Sequence, residues 1–442
     1  MPDVFLMACG SCSGDIMSEN NALVIFGATG DLCFNKLLPA IAQLNQDHPD
    51  SIRTVFLVGR QVQTREAYFA LAEEKGLSLD TIVTLVPKLT YVYMQAGDSE
   101  DYGALSDVLQ PYQGRYFYVA TPPTMYWVIL ESLVDRGLLV RHQANHRIAF
   151  EKPFGEDGAA ADVLVRLMTG KIEENQLFRV DHYLAKPMIQ ALVPLRQRMK
   201  TLASLFQAPT LKYVTLKAFE TLGILSRGKF YEATGAMNDM IQSHLLLTLT
   251  QAIAPLNAQG SIEPAEFLKG LSVNPSSIKL GQYMGYRDEV HVNPASTTET
   301  FAAFSLSHHD PALRGIDFWI MTGKKCSEKR TDIVFYFAED AWFRIKIAPD
   351  IGMTYNAAFK ALCSPAQLKE LTQLSSLRWT QKEGYETIFS EFIAGNTRLF
   401  PSSDAILASW NIMEQAHRHA PLPKPYHHEN DVLEGVVIHE TL

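Results

Sequence analysis

A short apolar run near the amino terminus leads directly into a turn that contains two glycines. Residues 22–26 (ALVIF) have the composition of a buried strand, GATG follows at residues 27–30, and a helical pattern covers residues 31–46. Glycines at these positions let the backbone turn tightly, and they let a pyrophosphate approach the N–H groups at the start of the helix. The arrangement therefore predicts an α/β domain that binds a dinucleotide at its first turn.

Further strands alternate with helical patterns up to about residue 190. We predict strands at residues 54–58, 90–94, 116–120 and 147–150, with helices between them and Thr64 as the N-cap of the second helix. Alternation of this kind is typical of βαβ units around a parallel sheet. The fold class expected for residues 21–190 is an N-terminal doubly wound (Rossmann-like) α/β domain, preceded by a loose extension at residues 1–20.

The pattern changes in residues 191–442. Strand-like runs at residues 212–222, 277–286, 298–307, 317–322, 331–337 and 342–347 follow one another with few helices between them. This order favours a larger α+β domain with a mainly antiparallel sheet, which would carry substrate binding and dimerisation. Two helical patterns, residues 235–254 and 385–416, are expected to cover one face of the sheet, and the proline-rich residues 421–425 to leave the fold as a tail.

Charge and composition exclude several classes of protein. The 442 residues carry a net charge of −9, whereas a general nucleic-acid binder presents a basic surface. No apolar run reaches the roughly 18–20 residues of a membrane span, and the start of the chain lacks the features of a secretory signal. Five cysteines make no disulfide framework, and we interpret the Cys9/Cys12 pair as incidental thiols. We therefore expect a cytoplasmic protein with no metal, no nucleic-acid partner and no membrane partner.

The residues after the second predicted strand bear on the choice of cofactor. An NAD site usually places an acidic residue there for the ribose 2′-hydroxyl, whereas an NADP site places an arginine on the 2′-phosphate. This strand ends in VGRQ at residues 58–61, and no acidic residue follows before Glu66. Arg60 is thus the candidate residue for binding the 2′-phosphate, and the competing interpretation is that it is a solvated surface cation. The sequence therefore favours NADP as the cofactor, with NAD as the alternative.

Three segments outside the glycine turn concentrate polar side chains. The first is EKPFG at residues 151–155, which follows the fifth predicted strand and contains Lys152. The other two are DHYLAK at residues 181–186 and DMIQSH at residues 239–244. Removing a hydride from a carbon that bears a hydroxyl requires a base for the hydroxyl proton, and a histidine held by a carboxylate suits this at neutral pH. His244 with Asp181 would form such a pair, although spacing alone does not decide which histidine is the base.

The motifs and their order resemble one family over nearly the whole chain, from about residue 22 to about residue 420. The segments that carry the resemblance are GATGDL at Gly27, Pro122-Pro123 after a strand, EKPFG at Glu151, RVDHYLAK at Arg179, DMIQSH at Asp239, TGKK at Thr322 and TDIVF at Thr331. On these segments the chain resembles the glucose-6-phosphate dehydrogenases. The resemblance implies oxidation of glucose 6-phosphate at C1 to 6-phosphogluconolactone with NADP, the first step of the oxidative pentose phosphate pathway, in a homodimer or homotetramer built through the large sheet.

The resemblance also implies a role for each site residue. His244 would be the general base and Asp181 its carboxylate partner. The residues expected to hold the 6-phosphate are His182, Tyr183, Lys186 and Lys329. Those expected to bond the sugar hydroxyls are Glu220, Asp239 and Lys324, with Lys152 between sugar and nicotinamide. The dinucleotide turn would comprise Gly27, Thr29, Gly30, Asp31 and Leu32, with Arg60 near the 2′-phosphate.

The chain departs from the family pattern at identifiable positions. Arg60 follows Gly59 directly, where the family usually has two intervening residues, and Ser243 precedes the histidine where the family usually has asparagine. Two alternatives to the leading hypothesis therefore stand. One is a dehydrogenase of another hexose phosphate or amino-sugar phosphate; the other is a non-catalytic NADP-binding regulatory relative.

Overall fold

The structure is a computed structural model, and it describes residues 20–48, 52–61, 64–97, 101–375, 377 and 384–434. The predicted extension at residues 1–20, with Cys9 and Cys12, lies outside the described residues except for Asn20. Two compact units divide the chain. Within the described residues, the first unit comprises residues 20–185 and 384–403, and the second comprises residues 186–377 and 404–434.

The first unit is built on a six-stranded sheet whose neighbouring strands are all parallel, in the order β3-β2-β1-β4-β5-β6. Its strands are β1 (Asn21–Phe26), β2 (Thr54–Gly59), β3 (Leu89–Tyr93), β4 (Gly114–Val119), β5 (His146–Phe150) and β6 (Leu177–Arg179). All six residues of β1 are buried, because this central strand has neighbours on both sides and helices on both faces of the sheet. This strand order is that of a dinucleotide-binding doubly wound sheet, which confirms the predicted fold class.

Helices connect these strands much as the sequence predicts. The α-helices of the first unit are Leu38–Asp47, Arg65–Glu74, Leu79–Leu85, Tyr102–Leu109, Tyr126–Asp135, Gly158–Lys171 and Gly384–Ala394, with a π-helical segment at Cys33–Leu37 and 3-10 turns at Val86–Lys88, Pro123–Met125 and Glu174–Gln176. The Thr64 hydroxyl accepts a hydrogen bond from the N–H of Ala67 at 3.1 Å, which confirms Thr64 as an N-cap. No helix among the described residues has both the length and the apolar character that a bilayer crossing requires.

The second unit contains a nine-stranded mixed sheet in the order β14-β13-β12-β7-β11-β10-β9-β15, with β8 paired to β10. Its strands are β7 (Leu211–Phe219), β8 (Leu271–Val273), β9 (Lys279–Tyr283), β10 (Phe301–His308), β11 (Asp317–Gly323), β12 (Arg330–Phe337), β13 (Trp342–Ala348), β14 (Gly352–Tyr355) and β15 (Lys424–Tyr426). The pairs β7–β11 and β9–β15 are parallel and the others antiparallel, so the prediction of a mainly antiparallel sheet is confirmed.

The helices of the second unit flank this sheet. The α-helices are Pro187–Arg198, Gly228–Ala236, Leu246–Ile253, Pro264–Lys269, Ala357–Leu362, Pro365–Ser375, Ser403–Arg418 and Glu429–Val432, with a π-helical segment at Met237–Leu245 and 3-10 turns at Leu202–Phe206, Leu225–Arg227, Pro275–Ser277 and Tyr286–Asp288.

Three sequence predictions about this part of the chain are wrong in detail. Residues 235–254 do not form one α-helix, because Gly235 (φ 61°, ψ −178°) breaks the chain direction and a π-helical segment follows. Residues 385–416 form two helices rather than one, and the first of them belongs to the first unit. Residues 421–425 do not leave the fold, since β15 pairs with β9 and buries Tyr426.

Candidate active site

The dinucleotide turn predicted from the sequence lies at the carboxyl end of β1. Gly27 adopts φ +85°, and a Cβ there would come within 2.5 Å of the Ala120 carbonyl oxygen, so only glycine fits between the ends of β1 and β4. The N–H groups of Gly27 and Ala28 donate to the Val58 carbonyl at 3.2 and 3.0 Å, which ties the turn to the end of β2. The turn thus lies where doubly wound sheets bind nucleotides.

The remaining turn residues surround the start of the following helix. Thr29 and Leu32 are half-buried, Gly30 and Asp31 are exposed, and Asp31 forms a 3.3 Å ion pair with Lys75. Cys33, the small residue expected to allow close packing of helix on strand, is fully buried. A pyrophosphate would therefore meet accessible backbone at a helix amino terminus, which is the environment that this group requires. Arg60 follows the last residue of β2 and is exposed, as a side chain that contacts a 2′-phosphate must be.

Asp181 is a buried carboxylate in the first unit. It is 4% exposed, and its Oδ1 accepts the backbone N–H of Tyr183 at 2.8 Å. Burial raises its pKa to about 6, while the charges of His182 and Lys152 and the Tyr183 N–H act in the opposite direction. His182, Tyr183 and Lys152 are themselves half-buried, so these predicted site residues lie together around one carboxylate that titrates close to neutrality.

A second buried carboxylate, Glu151, connects Lys152 to this cluster. The Glu151 Oε1 accepts hydrogen bonds from the Tyr118 hydroxyl at 2.6 Å and the Tyr385 hydroxyl at 3.2 Å. The Tyr385 ring also lies parallel to the His182 ring, with centroids 6.4 Å apart. Sequence reasoning missed Tyr385, because no local pattern relates it to a residue 234 positions away.

In the second unit, Asp239 and His244 lie on the π-helical segment Met237–Leu245 and are 7% and 1% exposed. In an α-helix, residues five apart point about 140° away from each other. In a π-helix the hydrogen bonds run from residue i to i+5, so residues five apart lie about one turn apart and share a face. The wider helix therefore presents the carboxylate and the imidazole on the same side. The Ser243 hydroxyl donates to the Asp239 carbonyl at 2.7 Å inside this segment.

An ion pair lies at the end of β7 in the same unit. The Lys324 ammonium contacts the Glu220 carboxylate at 2.5 Å, and Lys324 is 3% exposed. The Lys324 Nζ also lies 5.9 Å from the ring centroid of Tyr231, a buried tyrosine whose pKa is raised by burial and by the nearby charges of Asp239, Glu299 and Glu220. The structure thus groups Glu220, Lys324 and Asp239 around Tyr231, which sequence reasoning did not single out as a site residue.

The two predicted phosphate-binding lysines of the second unit differ in their surroundings. Lys186 is half-buried and forms the N-cap position of the helix Pro187–Arg198. Lys329 is exposed in the loop between β11 and β12. An exposed ammonium group on a loop retains the freedom to close on an anion.

Family models match almost the whole described chain. A model described as "Glucose-6-phosphate dehydrogenase, NAD binding domain" matches residues 24–191, and one described as "Glucose-6-phosphate dehydrogenase, C-terminal domain" matches residues 193–432. The glucose-6-phosphate 1-dehydrogenase of Aggregatibacter actinomycetemcomitans is 29% identical over 447 residues, covering 90% of this chain and 90% of that protein. That of Chlamydia muridarum is 27% identical over 465 residues, covering 92% and 90%.

Solved structures with similar folds include members of the same family. The crystal structure of glucose-6-phosphate 1-dehydrogenase from Mycobacterium avium has a TM-score of 0.80 and 25% identity, covering 92% of this chain and 94% of that chain. A glucose-6-phosphate dehydrogenase in complex with its substrate, glucose 6-phosphate, has a TM-score of 0.81 and 22% identity, covering 93% and 94%. At 22% identity, the similarity to this second structure shows a common fold only.

Proposed function

The chain belongs to the glucose-6-phosphate dehydrogenase family, and from this premise we propose which of its residues carry out the reaction. The enzyme is an oxidoreductase that converts glucose 6-phosphate to 6-phosphogluconolactone with NADP. The observation that carries this conclusion is the consecutive match of both domains of the family over residues 24–191 and 193–432.

His244 is the proposed general base for the C1 hydroxyl proton. Its ring is almost fully buried on the π-helical segment. Imidazole is the side chain whose ordinary pKa suits proton transfer near neutral pH. Asp181 is the proposed carboxylate partner, which would orient the ring and stabilise the imidazolium that forms. Its pKa of about 6 leaves it mainly ionised at pH 7, as this role requires.

Two groups of polar and charged residues are proposed to bind the substrate, one at the sugar hydroxyls and one at the 6-phosphate. Glu220, Asp239 and Lys324 are proposed to bond the sugar hydroxyls, since the ion pair and the neighbouring carboxylate offer both donors and acceptors. Charge-assisted hydrogen bonds to the 6-phosphate are assigned to His182, Tyr183, Lys186 and Lys329. Lys152, beside Asp181, is assigned to the space between sugar and nicotinamide.

The dinucleotide is assigned to the first turn. Gly27 fits this role because the backbone ends of β1 and β4 leave no room for a side chain there, and Thr29, Gly30, Asp31 and Leu32 surround an accessible helix amino terminus. When bound, NADP supplies the nicotinamide ring that accepts the hydride. Arg60 is proposed to distinguish NADP from NAD by contact with the 2′-phosphate.

Replacing Arg60 by alanine is expected to raise the KM for NADP about tenfold or more, because a hydrogen bond to a charged group contributes about 1.5–3 kcal/mol. The KM for NAD is expected to stay within about twofold, since NAD carries no phosphate at that position. The measurement is steady-state kinetics with each dinucleotide. Arg136→Ala removes another exposed arginine of the first unit and is the control. An equal loss with both dinucleotides would show that Arg60 does not read the 2′-phosphate.

The substrate assignment is tested with a panel of sugar phosphates. Absorbance of the reduced nicotinamide is followed with glucose 6-phosphate, other hexose 6-phosphates and glucosamine 6-phosphate, each with NADP and with NAD. We expect the highest kcat/KM with glucose 6-phosphate and NADP. Faster turnover of a different sugar phosphate would favour the alternative hexose-phosphate dehydrogenase. Silence of the wild-type protein on the whole panel would favour the non-catalytic NADP-binding relative.

Assembly and location complete the proposal. We propose a homodimer or homotetramer formed through the large sheet, and light scattering on the purified protein tests this. We also propose a cytoplasmic location, supported by Cys33, Cys326 and Cys363, which are buried free thiols suited to a reducing compartment.

A further inference from the structure

The half-buried carboxylate of Glu299 contacts the start of the π-helical segment. The N–H of Met237, the first residue of the segment, donates to the Glu299 Oε1 at 2.9 Å, and the N–H of Ala236 donates to the Glu299 backbone carbonyl at 3.0 Å. A Cβ on Gly235 would come within 2.3 Å of the same Oε1. Glu299 therefore contacts three consecutive residues, at the point where the helix Gly228–Ala236 ends.

The backbone at this point departs from helical geometry. Gly235 has φ 61° and ψ −178°, a conformation open essentially only to glycine. The chain changes direction there, and the helix that resumes at Met237 is a π-helix rather than an α-helix. The Glu299 carboxylate fills the space that a side chain at residue 235 would occupy, so it packs directly against the kink.

The surroundings of Glu299 shift its pKa and include two buried tyrosines. Burial raises its pKa to about 7, against the stabilising N–H of Met237. Its charge also acts on two buried tyrosines, Tyr231 and Tyr286, and Tyr231 is the residue around which Asp239, Glu220 and Lys324 lie. A strongly perturbed carboxyl group between such neighbours is a candidate for a role in function.

We propose that Glu299 is a positioning residue that fixes where the π-helical segment begins, and thereby keeps Asp239 and His244 on one face. The inference rests on the proposed function, in which those two residues bind sugar and accept the proton. If the Glu299 carboxylate is removed, the segment can change from π-helical to α-helical geometry, with fewer residues in each turn. Asp239 and His244 would then point about 140° apart, and they could no longer act on the same sugar.

The test compares two variants of the full-length enzyme. Glu299→Gln keeps an oxygen of similar position for the Met237 N–H, whereas Glu299→Ala removes it. We expect Glu299→Ala to lower kcat about tenfold and to raise the KM for glucose 6-phosphate several-fold, because misplacement of a site by about 1 Å has effects of this order or larger. The KM for NADP should not change, and Glu299→Gln should restore kcat to within about threefold of the wild type.

Glu232→Ala is the matched control. Glu232 accepts hydrogen bonds from Tyr286 and Ser296 in the same region, at 2.6 and 2.7 Å, so its removal reports a general loss of packing. A purely structural role for Glu299 would make both alanine variants less stable to urea while leaving the KM for glucose 6-phosphate unchanged. That result would overturn the proposal.

A spectroscopic measurement separates this proposal from the proposed function. The ring signal of His244 in protein labelled with ¹³C-histidine is identified by its absence from the His244→Gln variant. We expect this signal to shift in Glu299→Ala and to keep its wild-type position in Glu299→Gln. If His244→Gln retains activity but the signal still shifts, the proposed function fails and the positioning role stands. An unshifted signal in Glu299→Ala contradicts the positioning role itself.

Discussion

Replacement of His244 by glutamine is expected to lower kcat for glucose 6-phosphate about a thousandfold, because a positioned general base contributes roughly 10²–10⁴ in rate. Glutamine fills much of the volume of the buried ring, which is 1% exposed, so the change should not leave a large cavity. The KM values for both substrates should change little, since the amide removes the proton acceptor and not the contacts of sugar or dinucleotide. The measurement is the initial rate of nicotinamide reduction at saturating substrates.

His309→Gln is the control for the His244 variant. His309 lies in the same unit and is exposed after β10, so its replacement changes the number of histidines without touching the π-helical segment. Wild-type rates are expected for this control. A His244→Gln enzyme that keeps kcat within tenfold of the wild type would require another base.

The second large effect is expected from Asp181→Asn, which should lower kcat about a hundredfold and at the same time stabilise the fold. The rate falls because a neutral amide cannot stabilise an imidazolium as a carboxylate does. The stability rises because burial has raised the pKa of Asp181 from 3.8 to about 6. Above pH 6 the folded protein holds a buried charge that the unfolded chain would place in water. Two pKa units correspond to at most about 3 kcal/mol of unfolding free energy.

The pH dependence gives this prediction a definite sign. Between pH 3.8 and about 6 the folded state keeps a proton on Asp181 that the unfolded state has lost, so this group's contribution to stability falls as pH rises through that window. The stability advantage of Asp181→Asn should therefore be full at pH 7 and shrink as pH approaches 4. Urea unfolding at several pH values measures it. Wild-type kcat should itself decline as pH falls through about 6, when Asp181 becomes neutral.

Asp350→Asn serves as the control for Asp181→Asn, because Asp350 is exposed on the loop after β13. An exposed carboxylate has little desolvation to lose, so neither kcat nor the pH dependence of unfolding should change. An Asp181→Asn protein less stable than the wild type at pH 7 would contradict the argument from burial.

Local features of this chain were predictable from its sequence because they depend on neighbours along the chain. The buried run before Gly27 and the hydroxyl of Thr64 specify a strand and a helix start through contacts within a few residues. The motif residues Asp181 and His182 likewise lie beside each other whatever the rest of the chain does. These features account for the parallel sheet, the dinucleotide turn and most members of the candidate site.

The features that sequence reasoning missed depend on distant contacts. The π-helical geometry around Asp239 arises where Gly235 meets Glu299, and the hydrophobic period of residues 235–254 contains no sign of that contact. Tyr385 reaches Glu151 only because its helix packs in the first unit. The pairing of β15 with β9 also depends on a distant contact. The prolines in residues 421–425 predict a tail when the sequence is read alone, because nothing nearby in the sequence indicates the partner strand.

The packing of the helix Gly384–Ala394 in the first unit has a consequence for synthesis on the ribosome. Phe389 lies 5.0 Å from the Tyr118 ring and Phe392 lies 5.0 Å from the Phe178 ring, so strands β4 and β6 are covered by residues translated more than two hundred positions later. Domains that emerge first generally fold first. Here the rings of the nascent sheet stay uncovered until the helix Gly384–Ala394 has been translated. Vectorial folding of the first unit is thus left unfinished until that helix emerges.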